Sequence, residues 1–154
     1  MLVLALTIAA TSPSNEIAAQ PQLAGDVLSR PDWGRSLFCL WRDSGYGTGS
    51  WELAGWLFRD GERLALARWP GTRSAYQERW SGPVPGDAVA LVHTHPGNVD
   101  PRPSEGDRAT ARALGLPVLA VSRGGVFTAL PDGRVLREGG DTWYLAFPAS
   151  GCSS

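Results

Sequence analysis

The sequence predicts an α/β fold: a curved mixed β-sheet of about five to seven short strands, flanked by one or two helices. Three observations predict it. Glycine (19) and proline (12) are abundant and interrupt the chain at short intervals, which suits short strands better than a helix bundle. The apolar runs between them are brief and rich in Val, Leu, Ala and Trp. One segment alone, residues 104–114, carries clear helix start and stop signals, with Ser104 before it and Gly115 after it.

Taken in order, residues 36–42 (SLFCLWR) read as a strand, and residues 43–50 (DSGYGTGS) form a glycine-rich loop. Residues 51–59 (WELAGWLFR) are apolar at nearly every position except Glu52. Asp60-Gly61 then turns the chain into residues 63–69 (RLALARW), giving a hairpin. Residues 74–80 have room for one or two helical turns within a loop-like stretch. Residues 87–93 (DAVALVH) form a strand that ends on a histidine. After the proline-flanked loop 96–103, Ser104 is a good N-cap, and Glu105 and Asp107 place negative charge in the first turn, where the helix dipole favours it. Residues 116–122 and 125–130 are two further strands, and Pro131-Asp132-Gly133 turns the chain into a third, residues 134–137.

A chain of 154 residues that is 43% apolar or aromatic buries one core, so a single domain is expected over residues 31–148, with a tail at 149–154. The net charge is −1 and no run of like charge stands out, which argues against nucleic acid and anionic membrane as partners. Residues 1–10 are apolar apart from Thr7, and residues 11–20 are small and polar. Residues 1–20 thus read either as an export signal lacking its basic start or as an apolar N-terminal strand or helix; the apolar run is too short for a permanent membrane anchor. The expected location is secreted or periplasmic, otherwise cytoplasmic. Cys39 and Cys152 lack the close spacing of a zinc ribbon. They form one disulfide if the chain is exported; in the cytosol Cys39 is a small buried apolar residue.

The chain has two histidines, and they stand as His93-Thr94-His95 at a strand end. Alternate residues on a strand share a face, so both imidazoles can point into one space and supply half of a zinc site. Asp107, in the first turn of the next helix, is the third candidate ligand. Two histidines and a carboxylate leave a fourth tetrahedral position for water, the arrangement of a catalytic rather than a structural zinc site. Glu52 is the one acidic residue in its apolar run and is the candidate to move the proton of that water. Glu62 and Glu78 fall in turn-like or exposed-looking stretches and are weaker choices. Ser104 can donate to an oxyanion as well as cap the helix.

These residues resemble the JAMM (MPN+, Mov34-type) zinc metalloproteases, bacterial members in particular. The family pattern is a glutamate on an early strand, then His-x-His-Pro, then Ser-x-x-Asp opening a helix. Here it reads Glu52, His93-Thr94-His95-Pro96 and Ser104-Glu105-Gly106-Asp107, within a similarity spanning about residues 36–138. The resemblance implies an architecture shared with cytidine deaminases and zinc held by His93, His95 and Asp107. It further implies Glu52 as acid and base, Ser104 steadying the tetrahedral intermediate, and a peptide or protein substrate. Many members cleave isopeptide bonds at the C-terminus of ubiquitin-like proteins. Two departures stand out: eight residues separate His95 from Ser104, one more than the commoner spacing, and the region before Glu52 is glycine-rich where many members have a long helix. Two other readings remain open, an exported peptidase or effector acting on cell-wall peptides or foreign proteins, and a non-catalytic binding scaffold.

Overall fold

A computed structural model of the chain describes residues 27–49, 51–61, 63–70 and 80–152. Helix α1 (Pro31–Asp43) comes first. A hairpin of β1 (Ala54–Asp60) and β2 (Arg63–Arg68) follows, then β3 (Ala88–Thr94), helix α2 (Glu105–Leu114), and the strands β4 (Val118–Ser122), β5 (Gly125–Ala129) and β6 (Val135–Gly139). Two short 3-10 turns, Trp143–Ala146 and Ala149–Gly151, end it. The six strands form one open mixed sheet in the order β2-β1-β3-β4-β5-β6. Only β3 and β4 run parallel, because α2 carries the chain from one to the other, and every other neighbouring pair is antiparallel.

The expected α/β class stands, but residues 36–42 are helix rather than strand. Pro31 occupies the first turn, where its missing N–H costs nothing, and Trp33, Leu37, Leu40 and Trp41 recur at three- to four-residue intervals and bury one face. The seven-residue window masks that period, because Leu37, Phe38, Cys39, Leu40 and Trp41 are apolar one after another. The element before the glycine-rich stretch and Glu52 is thus a helix and not the expected strand. Strand β1 also starts later than expected, and Glu52 stands two residues ahead of it. The apolar residues 1–20 and residues 74–79 lie outside the described residues, and Trp80 sits in irregular chain.

The central strands of the sheet are buried on both faces. On one side, α1 and the C-terminal segment cover Leu57, Ala90, Val92, Leu119 and Val121, with Trp33, Leu37, Leu40, Trp41 and Trp143 as the covering side chains. On the other side, Leu91, Val118 and Ala129 meet Ala111 of α2 and the neighbouring Trp56 and Trp69. Strand β3 therefore deals successive residues to opposite layers, Ala90 and Val92 to the first and Leu91 to the second. The indole N–H of Trp143 donates to the Ser122 carbonyl at 2.8 Å, which satisfies a buried donor where the last segment crosses the sheet.

Cys39 of α1 and Cys152 form a disulfide, so residues 149–152 are bound to the helix rather than a loose tail. Among the described residues no helix is long and apolar enough to cross a membrane. The crosslink closes a loop of 113 residues and restricts the unfolded chain accordingly. Replacing Cys39 and Cys152 together with alanine is expected to lower unfolding stability by about 2–5 kcal/mol. Urea titrations of wild type and variant without reductant measure this, and coincident transitions would contradict it.

Candidate metal centre

The site forms where β3 ends and α2 begins. Since Leu91 faces the α2 layer, His93 does too, and His95 continues the alternation one residue past the strand. The His95 N–H donates to the Val121 carbonyl at 2.8 Å, extending the parallel pairing with β4. At the start of α2, Ser104 and Asp107 form a capping box: the Ser104 oxygen accepts from the Asp107 N–H at 3.2 Å, and the Ser104 N–H donates to Asp107 Oδ2 at 2.6 Å. The box turns the Asp107 carboxylate back toward the strand end.

Glu52, His93, His95 and Asp107 are 2%, 1%, 3% and 1% exposed, which is unusual for groups of this polarity. The ligand atoms of His93, His95 and Asp107 all lie within 4.8 Å of one another, and the three can hold a metal ion. His93 Nε2 is 2.8 Å from His95 Nε2 and 3.4 Å from Asp107 Oδ1, and His95 Nε2 is 3.8 Å from Asp107 Oδ2. Ligand atoms ~2.0–2.1 Å from a tetrahedral dication stand about 3.3 Å apart, so these separations bracket what such an ion needs. Buried atoms left without a hydrogen-bond partner point the same way. Of the eight such side-chain atoms among the described residues, the two carboxylate oxygens are Glu52 Oε2 and Asp107 Oδ1, both at this site.

The ring of His95 is oriented by its other nitrogen. Nδ1–H donates to the Asp100 carbonyl at 2.8 Å, which leaves the Nε2 lone pair facing His93. The loop supplying that carbonyl is clamped by Asp100 Oδ1 accepting from the Arg102 N–H at 2.9 Å and by an ion pair to the Arg102 guanidinium. Burial, with the charge of His93 second, pushes His95 down to about 4. Burial would also lower His93, but the facing Asp107 carboxylate outweighs it and raises that ring above its ordinary value. For Asp107, burial is opposed by His93 and by the Ser104 hydrogen bonds, which hold the carboxyl well below the usual range. Burial raises Glu52 despite the opposing pull of His93.

All five residues singled out from the sequence come together. Glu52, His93, His95, Ser104 and Asp107 line one cleft of about 540 Å³. Glu52 reaches it from the segment before β1, because the Leu53 N–H donates to Thr94 Oγ1 at 2.9 Å and the Thr94 N–H to the Leu53 carbonyl at 2.8 Å. Those two bonds pin residues 52–53 against the end of β3. Glu62 and Glu78, the weaker choices, lie outside the described residues. The sequence reading missed Asp100. Its part is played by a backbone carbonyl, and the only trace in the sequence is the Asp-x-Arg clamp that shapes the loop.

Metal binding at this site requires both imidazoles unprotonated on the ligating nitrogen. Because His93 sits above the ordinary histidine value, a metal must displace its proton, so affinity falls as pH is lowered below the His93 value. His95, already low, adds a second proton only as the pH approaches about 4. Chelator-competition titrations are therefore expected to show affinity falling up to about tenfold per pH unit through the acidic range, with His93→Ala and Asp107→Ala abolishing binding. A pH-independent affinity would contradict this assignment. No protein-family model matches the chain, and no curated protein matches it.

Proposed function

We propose that the protein is a zinc-dependent peptidase or isopeptidase of the JAMM type. The observation that carries this reading is the convergence of His93, His95 and Asp107 in one cleft with Glu52 and Ser104, in the sequence order of the family pattern. The donor set of two imidazoles and one carboxylate suits zinc and leaves a coordination position open. Bound there, zinc supplies Lewis acidity and brings the pKa of a water molecule close to neutrality.

The chain's own residues supply the rest. Burial raises Glu52 above the ordinary carboxyl value, and its place in the cleft suits it to be the general base: its carboxylate takes the proton of the attacking water and returns it to the leaving nitrogen. The Ser104 oxygen accepts from the Asp107 N–H, so its own hydroxyl proton is available to the carbonyl oxygen of a substrate lying in the cleft. The Asp100 carbonyl keeps His95 in the tautomer that ligates. A ubiquitin-like C-terminus or a peptide branch is the substrate class that the resemblance suggests.

The Cys39–Cys152 disulfide supports an oxidising compartment, and with it an exported peptidase that acts on cell-wall peptides or as an effector on foreign proteins. A non-catalytic scaffold is disfavoured by Glu52, since burying a carboxylate oxygen without a hydrogen bond costs several kcal/mol, a cost that a scaffold without chemistry has no reason to carry. Glu52→Gln is expected to retain stoichiometric zinc and lose turnover of peptide substrates. Ser104→Ala should lower kcat by about 10²-fold, equivalent to ~3 kcal/mol of barrier. Elemental analysis with a peptide-cleavage assay decides both, and full activity in Glu52→Gln would sink the mechanism.

A further inference from the structure

The glycine-rich stretch between α1 and Glu52 contributes no side chain to the proposed chemistry, yet it lies against the metal-binding loop. Gly45, Tyr46 and Gly47 are three successive left-handed residues, with φ of 77°, 57° and 73°. The turn is fixed by Tyr46 N–H donating to the Trp41 carbonyl at 3.1 Å and Thr48 N–H to the Gly45 carbonyl at 2.9 Å, and the Tyr46 ring stands edge-on to Trp41 at 5.2 Å. This conformation aims the Gly47 carbonyl at Gly97, whose N–H donates to it at 2.7 Å. Gly97 is two residues past His95.

The contact is close as well as hydrogen-bonded. A Cβ on Gly47 would stand 3.3 Å from Trp41 Nε1, 3.4 Å from the Gly97 nitrogen and 3.5 Å from the His95 carbonyl oxygen. Trp41 is 3% exposed and wedged against Phe38, Trp143 and Tyr144, so the few tenths of an ångström that the Cβ needs would fall on the peptide at Gly97. Of the three ligands, His93 is fixed by β3 and Asp107 by the capping box. His95 lies beyond the strand and depends on loop contacts: the Val121 carbonyl on its N–H, the Asp100 carbonyl on its ring, and the Gly47 turn on the peptide that follows it.

We propose that Gly47 is a positioning residue of the metal centre: its left-handed turn fixes His95-Pro96-Gly97 from the outer side and so sets where His95 Nε2 stands relative to His93 and Asp107. The proposal rests on the metal-binding reading. Gly61 provides the control, since it too is left-handed, at φ 57°, in the turn between β1 and β2, but a Cβ there meets nothing within 4 Å. Gly47→Ala and Gly61→Ala therefore impose comparable backbone strain, and only the first presses on the ligand loop.

The test compares wild type with both variants by thermal unfolding, by zinc affinity in chelator competition, and by the visible absorption of the cobalt-substituted protein, which reports ligand geometry. Both variants should melt lower than wild type. Gly47→Ala should also bind zinc about 10- to 100-fold more weakly and show an altered cobalt spectrum, while Gly61→Ala keeps the wild-type affinity and spectrum. Should Gly47→Ala fail to fold, Gly97→Ala strikes the same contact from the other side, its Cβ meeting the Gly47 oxygen at 3.2 Å without a left-handed φ, and the same loss is expected. Wild-type affinity and an unchanged spectrum in the variant tested overturn the positioning role alone. A wild-type protein that binds neither ion overturns the metal reading and this proposal together.

Discussion

A carboxylate buried away from water has to be compensated, and the compensation of Asp107 organises one end of the sheet. Its Oδ2 takes the Ser104 N–H, closing the box that starts α2, and the two histidines face it from the end of β3. The same side chain thus starts a helix and brings negative charge to within 4 Å of both imidazoles. The Asp107 carboxylate raises His93, and His93 in turn lowers Asp107, so each stabilises the charged form of the other. Asp107 Oδ1 remains without a hydrogen bond, as a group able to hold a cation would leave it.

The topology makes this convergence inexpensive. A parallel pair of strands needs a crossover, and here the crossover helix begins close beyond the carboxyl end of β3, so side chains from the strand end and the first helical turn meet without any long-range closure. Glu52 is brought in by the antiparallel neighbour. Ala54 of β1 stands opposite His93, and the strand period of two returns Glu52 to the same face. The Asp100–Arg102 clamp shapes the loop between His95 and Ser104 so that it presents a carbonyl to His95.

Much of this was legible in the sequence because the residues involved are rare or out of character. The chain has only two histidines, two apart; Glu52 interrupts an apolar run; and Ser104 with Asp107 has helix-start spacing. Strands β3 to β5 were readable from short apolar runs between turn residues. Helix α1 was not, because its buried stripe is widened by apolar residues beside it until strand and helix periods look alike, and the first turn with Pro31 and Trp33 lay outside the segment read as strand. The contacts of the Asp100 and Gly47 carbonyls were illegible for a different reason. A backbone oxygen carries no residue identity, and its aim becomes visible only when the φ angles of the loop are known.

The two layers over the sheet divide the work of the fold. The α1 layer is close-packed with aromatic side chains, crosslinked through Cys39 and Cys152, and closed by the Trp143 indole on Ser122. The α2 layer carries the cleft and both orphaned carboxylate oxygens. Those orphans lower stability, and a chain of this size has a small margin to lose. The α1 layer offsets that loss on the opposite face, where extra packing and a covalent link leave the cleft unobstructed. It also steadies the site mechanically, because Trp41, edge-to-face with Tyr46 and packed against Tyr144, forms the floor on which the Gly47 turn rests. The aromatic face therefore reaches the loop after His95 through a backbone contact, the Gly97 N–H on the Gly47 carbonyl.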